Sequence, residues 1–288
     1  MASLCLMVSF KAYSQKQHHV VDSWDKKPIE FVSIISSNGK GIYSDENGFF
    51  SISCVGSDSL FISRVGYEAI RIHCESVKDT ILMKPINNLK EVIIKTRKNK
   101  QKTKTEWIGF LDYKSKGYLT NINQVALFIT NHFNEPKKVN YIKFNFSKIR
   151  FSGPTGRMKN VEIIVRLRIY GVDKKGFPSN DILNDNIIAN LREKQKSIIF
   201  NIENKDIEMP VNGFFIAVEF IGYANEEKYI GSDNSNFNKL LQFAPVFSKG
   251  HSFANSWYKK NHTSDWKKLI SNQSSQSNFN FGVEVQIN

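Results

Sequence analysis

At 288 residues the chain is long enough for two domains, each with a hydrophobic core of its own. It contains 22 Phe and 10 Tyr, and this composition favours strands over helices because aromatic side chains pack well on the pleated surface of a sheet. The formal net charge is +13, yet no helix-turn-helix, zinc-finger or RNA-recognition signature accompanies the basic residues, which argues against nucleic acid as a partner.

Residues 1–14 have the pattern of an export signal, although the usual basic start is missing. An apolar run over 4–10 is followed by small residues around Tyr13, which predicts cleavage before Gln15. Cys5 lies at the start of the apolar run and does not close it, so a lipoprotein anchor is not expected. The alternative interpretation is an ordinary buried N-terminal strand. We expect an exported protein, located in the periplasm, at the outer membrane or outside the cell. No other stretch has the roughly 18 apolar residues that span a bilayer, so no transmembrane segment is expected in the mature chain.

Residues 15–88 are predicted to form a small β-sandwich. Asp45, Asn47 and Gly48 mark a turn, because Asp and Asn hydrogen-bond their own backbone and Gly permits a positive φ. Strand-like alternation follows over 58–72, and a further apolar run over 80–85 completes the pattern. Several short strands at this spacing are typical of an all-β sandwich.

The same region resembles the carboxypeptidase-regulatory-like domain. The matching stretches are 22–28, the Ser-Asp-Glu-Asn-Gly-Phe turn at 44–49, Val-Gly-Tyr at 65–67 and Leu-Lys-Glu-Val-Ile-Ile at 89–94. The resemblance implies a transthyretin-like β-sandwich and a place among the secreted and envelope proteins of Bacteroidetes-type bacteria. It implies no activity, because this family is an accessory module and a fold alone does not fix a function.

Two cysteines, Cys54 and Cys74, remain after the export signal, and each ends a predicted strand of the small sandwich. An exported protein meets oxidants that pair such cysteines. A disulfide closing this loop would contribute about 3 kcal/mol by reducing the entropy of the unfolded chain. Two separately buried thiols are the alternative.

Residues 89–106 are strongly basic and show no periodicity, so we expect a solvated linker between the domains. Its first part carries one acid, Glu91, among the basic residues Lys90, Lys95, Arg97, Lys98, Lys100, Lys102 and Lys104. The alternative is a contact with a polyanion or an anionic membrane, because clustered Lys and Arg release the counterions of phosphates.

Residues 107–288 are predicted to form a second, larger β-sandwich, of jelly-roll type. In the alternating run over 161–170, the odd positions are expected to face a core while Arg166 and Arg168 face outward. One short helical turn is expected within 181–191. The Arg-Leu-Arg-Ile-Tyr-Gly stretch resembles the second domain that is often fused to the regulatory-like module in envelope proteins. Further strands are predicted at 139–146, 197–201, 213–220 and 279–287.

The sequence contains one candidate for a metal site. His132 and Glu135 form an H-x-x-E pair, and His251 follows at a distance, as in the ligand set of a zinc carboxypeptidase. However, the chain shows no alternation of strands and helices that would provide the rigid α/β sheet of such an enzyme. Asp45, Asn47 and Asp58 carry oxygen ligands that suit calcium, but their spacing matches no EF-hand and turn stabilisation explains them. We therefore expect neither a metal nor a cofactor.

An aromatic segment near the C-terminus is the second possibility. Trp257, Tyr258 and Trp266 lie close to Asn255 and other polar residues, and flat aromatic rings beside hydrogen-bonding groups are typical of sugar-binding surfaces. The alternatives are packing inside the sandwich, where Trp and Tyr are common, and a protein interface.

These observations predict a non-enzymatic exported protein that acts as a binding or scaffold module in the cell envelope. Its partner would be an envelope protein or a glycan. The alternatives are a carbohydrate-binding accessory protein that uses the aromatic segment and a zinc carboxypeptidase-like enzyme.

Overall fold

The computed structural model describes residues 16–37, 41–52, 58–86, 103–112, 115–116, 119–120, 122–153, 156–157, 162–183, 185–192, 195–223, 241–251, 253–260, 264–270 and 276–287. The predicted export signal, Cys54 and most of the basic segment lie outside these residues. Within them the regular structure is all-β, apart from two short 3₁₀ helices at Cys74–Ser76 and Glu203–Lys205. The predicted fold class is therefore confirmed.

The N-terminal domain, residues 16–86, is built from two small sheets. One has three strands in the order β4-β1-β7, and the other has four in the order β3-β2-β5-β6. Val20, Ile34, Leu60 and Met83 are fully buried between them. Its strands are β1 Gln17–Asp22, β2 Ser33–Ser36, β3 Gly41–Tyr43, β4 Phe49–Ser51, β5 Ser59–Ser63, β6 Ile70–His73 and β7 Thr80–Met83.

The turn between β3 and β4 has the conformation that its sequence predicts. The Asp45 carboxylate accepts hydrogen bonds from the backbone N–H groups of Asn47 and Phe49, at 2.9 and 2.7 Å. Gly48 has φ +76°, in the left-handed region that glycine adopts most easily. A Cβ atom at Gly48 would lie 2.5 Å from the carbonyl oxygen of Val20, so this turn also packs tightly against β1.

The described residues of the C-terminal domain, within 103–287, form seventeen further strands in two sheets. They are β8 Lys104–Gly109, β9 Ser115–Lys116, β10 Leu119–Thr120, β11 Gln124–Ile129, β12 Lys137–Gly153, β13 Gly156–Arg157, β14 Glu162–Val172, β15 Pro178–Asp181, β16 Ile188–Arg192, β17 Ser197–Asn201, β18 Glu208–Met209, β19 Phe214–Tyr223, β20 Leu241–His251, β21 Ser256–Lys259, β22 Lys267–Lys268, β23 Gln276–Phe279 and β24 Phe281–Ile287.

The main path of one sheet is β10-β20-β12-β24-β8, with five shorter strands attached for a total of ten. The other sheet has seven strands, with β15-β14-β19-β11-β21-β22 as its path and β16 paired with β14. A hydrophobic core lies between the sheets and contains the inward side chains of both, including Ile142, Phe144 and Val283 of the first and Val125, Leu167 and Ile216 of the second.

Two sequence expectations are wrong in detail. Residues 181–191 were expected to hold a helical turn, but β15 ends at Asp181 and β16 begins at Ile188, because this stretch pairs with β14 on the edge of the seven-stranded sheet. Strand β8 begins at Lys104, inside the predicted linker, because Lys104 already pairs with Ile287. No helix in the described part of the chain is long and apolar enough to cross a membrane.

The turn at Asp45 has a close counterpart between β14 and β15. The Asp173 carboxylate accepts hydrogen bonds from the N–H groups of Lys175 and Phe177, both at 2.8 Å, and Gly176 has φ +80°. A Cβ atom at Gly176 would meet nothing within 4 Å, in contrast to Gly48.

We therefore predict that Gly48→Ala destabilises the protein more than Gly176→Ala. Both substitutions force alanine into the left-handed region, at a cost of about 1–2 kcal/mol. Gly48→Ala adds the clash with β1, which costs about 1–3 kcal/mol more. Chemical denaturation of the two variants measures the difference, and equal losses would show that the tight packing of this turn is unimportant.

Candidate functional site: a buried charged contact between the two domains

The outward face of the seven-stranded sheet carries a line of polar side chains. Arg166 of β14 is paired in register with Glu219 of β19, Glu219 with Gln124 of β11, and Gln124 with Lys259 of β21. Because side chains alternate along a strand, these four residues lie on the face opposite the main core. We call them the polar row.

The N-terminal domain docks on this face. Phe31 and Tyr43 form a small buried apolar cluster with Ile164 and Ile221 of the sheet. The Tyr43 hydroxyl donates a hydrogen bond to the Glu219 carboxylate, and the Arg166 guanidinium donates one to the backbone carbonyl of Phe31. The contact therefore combines apolar packing with charged hydrogen bonds that join the two domains.

The charges in this contact are shielded from water and compensate one another. Arg166 is 0% exposed and Glu219 is 2% exposed. Glu219 Oε2 lies 3.5 Å from Arg166 Nη1 and 2.8 Å from Arg168 Nε, and Arg168 Nη1 lies 2.9 Å from Asp181 Oδ2. Removing such charges from water costs several kcal/mol each unless partners surround them. Two arginines and two carboxylates supply those partners here.

Burial shifts the pKa of several groups around the polar row. It raises the pKa of the Tyr43 hydroxyl well above its ordinary value, and the nearby negative charge of Glu219 acts in the same direction. Burial likewise raises the pKa of Tyr170 and of Asp181, although Arg168 acts against both shifts. It lowers the pKa of Lys259. These shifts follow from the docking of the domains and the close packing of the face.

Phe31 has an unusual backbone conformation at this contact. Its φ is +51°, in the left-handed region, where a residue with a Cβ atom is strained by about 1–2 kcal/mol. Its carbonyl accepts the hydrogen bond from Arg166, and its side chain is 7% exposed. Contacts with the C-terminal domain thus hold a strained residue of the N-terminal domain in place.

Sequence reasoning missed this site. Arg166 and Arg168 do point away from the main core, as alternation predicts, but the expectation that they face outward on the surface is wrong because the N-terminal domain and Asp181 enclose them. The one available signal was the pair of arginines within a strand that is otherwise strongly apolar.

The predicted aromatic segment is divided between the two faces of the sheet. Trp257 is 6% exposed and packs with Phe215 on the outward face, beneath the ring of Phe177 at 4.8 Å between centroids. Trp266 packs on the same face against Tyr170, whereas Tyr258 packs against the main core. A sugar would reach the ring of Trp257 only if the covering side chains moved.

Asn255, the fourth residue of the predicted ligand site, has hydrogen-bond partners within the protein. Its backbone N–H donates to the side chain of Asn278, and its side-chain amide donates to the carbonyl of Phe128 at 3.4 Å. These bonds connect the start of β21 with neighbouring strands.

The other predicted residues lie in separate places. His132 and Glu135 are exposed in the turn between β11 and β12, where Glu135 pairs with Lys137 at 2.6 Å, and His251 packs against Phe110. Among the described residues, no three His, Cys, Asp or Glu side chains form a group that could hold a metal ion. Cys74 is disulfide-bonded, and because Cys54 lies outside the described residues its pairing with Cys74 stays a prediction.

We predict that Glu219→Gln lowers the free energy of unfolding by about 3–5 kcal/mol, because it leaves the buried Arg166 without its counterion. Glu208→Gln is the matched control, since Glu208 is exposed, and should change stability by less than about 0.5 kcal/mol. Urea denaturation compares the two. Similar small losses in both variants would contradict the importance of the buried pair.

A second prediction concerns alkaline pH. In the unfolded chain a tyrosine ionises near pH 10, whereas the raised pKa keeps buried Tyr43 neutral above that pH. The contribution of Tyr43 to the free energy of unfolding is therefore complete below about pH 10 and decreases as the pH rises further. Tyr43→Phe should therefore reduce the loss of stability above pH 10 by about 1.4 kcal/mol per pH unit. Denaturation curves from pH 7 to 11 test this, and parallel losses in wild type and variant would contradict it.

Comparison with known proteins agrees with the architecture of the N-terminal domain. Residues 18–94 match the family model of the CarboxypepD_reg-like domain, which supports the resemblance found in the sequence. No curated protein matches the chain. The match includes β2 to β7 and all of β1 except Gln17, so the N-terminal β-sandwich is similar to this family's domain. It also includes Phe31 and Tyr43, the residues that dock on the polar row.

Proposed function

We propose that this protein is a non-enzymatic binding or scaffold protein of the bacterial cell envelope. In this proposal residues 1–14 direct export, and the regulatory-like domain and a larger sandwich of jelly-roll type form one rigid unit. The observation that carries the proposal is the buried contact of Arg166 and Glu219 with Phe31 and Tyr43, because it joins the domains through hydrogen bonds and an ion pair that are shielded from water.

The ionisable groups at the domain contact pair with one another, which supports a scaffold rather than an enzyme. A catalytic acid or base must face a substrate and exchange a proton with it. Here one oxygen of Glu219 accepts the Tyr43 hydroxyl, and the other lies against Arg168 and Arg166. Tyr43 and Glu219 therefore serve the contact between the domains, and structural ion-pair networks of this kind also shift pKa values.

A carbohydrate-binding accessory protein is the second candidate. In the cell envelope proposed here the chain would meet glycans, and it has many aromatic residues, which stack on sugar rings. This candidate shares the rigid two-domain architecture and differs only in the nature of the partner.

The test is a pull-down from a native envelope fraction, with the mature chain from Gln15 as bait, run beside a glycan array. We expect the wild-type chain to retain a defined protein or glycan. Tyr43→Phe should weaken that retention if the bound surface spans both domains, because the variant loses a charge-assisted hydrogen bond between them, while Glu208→Gln should not. A chain that retains neither a protein nor a glycan would contradict the proposal.

A further inference from the structure

The outward face of the ten-stranded sheet carries a second cross-strand line of side chains. Asn201 of β17 is paired with Tyr141 of β12, Tyr141 with Glu284 of β24, and Glu284 with Trp107 of β8. The neighbours of these residues along each strand, such as Ile142 and Val283, point into the main core. We call these four residues the open row.

The open row is accessible. Trp107 is 38% exposed, Asn201 is exposed, and Tyr141 and Glu284 are half-buried. In the described part of the chain, the rings of Trp107 and Tyr141 make no hydrogen bond, ring contact or cation–π contact. Aromatic side chains gain much of their stabilising effect from burial, so a ligand that covers the exposed parts of these two rings would gain from the contact. This contrasts with Trp257, which neighbouring side chains cover.

The spacing of the two rings suits a chain-like ligand. Trp107 and Tyr141 lie on β8 and β12, on either side of β24, so their backbones are about 10 Å apart, twice the spacing of adjacent strands. Each ring can therefore contact a separate unit of a ligand that runs across the strands. Glu284 lies between them and has one oxygen that accepts the Thr105 hydroxyl at 3.1 Å. Its other oxygen has no partner among the described residues.

One side of the row is bounded by Leu111. Gly282, two residues before Glu284, has no side chain, and a Cβ atom there would lie 2.9 Å from Leu111 Cγ. Leu111 thus occupies the space above Gly282 on the outward face. The two rings, the carboxylate and the Leu111 side chain therefore lie together on one face of the sheet.

We propose that the open row binds a polysaccharide. The C–H faces of sugar rings stack on Trp107 and Tyr141, and sugar hydroxyls donate hydrogen bonds to Glu284 and bond with the Asn201 amide. This inference rests on the proposed binding function and names the class of its ligand. Glu284 lies between the rings of Trp107 and Tyr141. This arrangement suits a polysaccharide, because each sugar unit has an apolar C–H face that stacks on a ring and hydroxyl groups that bond with a carboxylate.

A peptide is a less suitable occupant of the row. Peptides that add to a sheet bind through main-chain hydrogen bonds along an edge strand, and β8 is at the edge of this sheet. Such binding would use the edge of β8 and would not require Tyr141, which lies two strands inward. The dependence of binding on Tyr141 therefore distinguishes the two kinds of ligand.

The experiment is native electrophoresis of the mature chain in gels that contain hydroxyethylcellulose, mixed-linkage β-glucan, xyloglucan, galactomannan or polygalacturonate, followed by calorimetry with the polysaccharides that retard it. We expect at least one to bind. Trp107→Ala and Tyr141→Ala should each lower the association constant by about tenfold, the size expected when one stacking contact is removed. Trp24→Ala is the matched control, because Trp24 is 60% exposed on the N-terminal domain, and should stay within about twofold of wild type.

Melting curves of the variants establish that any loss of binding occurs in folded protein. Absence of retardation in every gel would overturn the inference, and so would binding that Trp107→Ala and Tyr141→Ala leave unchanged. If no polysaccharide binds but the pull-down yields a reproducible protein partner, the open row is not a glycan site and the scaffold function stands. If both experiments are negative, the proposed function fails as well.

Discussion

Arg166 holds a positive charge where water is excluded, and the relation between the two domains depends on how that charge is compensated. Glu219 supplies a counterion from within the C-terminal domain, and Phe31 supplies a carbonyl from the N-terminal domain. A lone buried charge would cost several kcal/mol, so the sheet would not bury Arg166 without both. Docking of the N-terminal domain therefore both excludes water from Arg166 and supplies one of its hydrogen-bond partners.

The two outward faces of the larger sandwich differ in what covers them. On the seven-stranded sheet, Ala126 and Ala217 lie between Arg168 and Trp257 in one register line, and these small side chains leave room for the aromatic cluster that covers them. The Tyr170 hydroxyl reaches from this cluster to Gln124 of the polar row, at 2.8 Å. This face is thus filled by its own side chains and by the other domain, whereas the ten-stranded sheet keeps aromatic rings in contact with solvent.

The strands and the turn at Asp45 could be predicted because their signals are local. Side chains alternate between the two faces of a strand, so the sequence shows which residues share a face. A turn is fixed when an Asp carboxylate accepts hydrogen bonds from the backbone N–H groups two and four residues later. Alternation does not reveal what covers each face. Arg166 meets Phe31 over a separation of 135 residues, and no local pattern encodes that contact. The same limit applies to Trp257, whose covering residue Phe177 comes from a distant turn, and to the alignment of Trp107 with Tyr141, which depends on the register of β24 between them.

The N-terminal domain begins with β1 and ends with β7, and these two strands are parallel neighbours in register from His19 with Thr80 to Asp22 with Met83. The chain therefore enters and leaves the domain at opposite ends of the same pair. When the chain is pulled from both sides, β1 and β7 are drawn past each other in shear, and all the hydrogen bonds between them carry the load together. An antiparallel pair pulled from its open end would instead separate one bond at a time. The domain is thus built to resist stretching along the chain, a mechanical strength suited to a module that lies in line between two attachments.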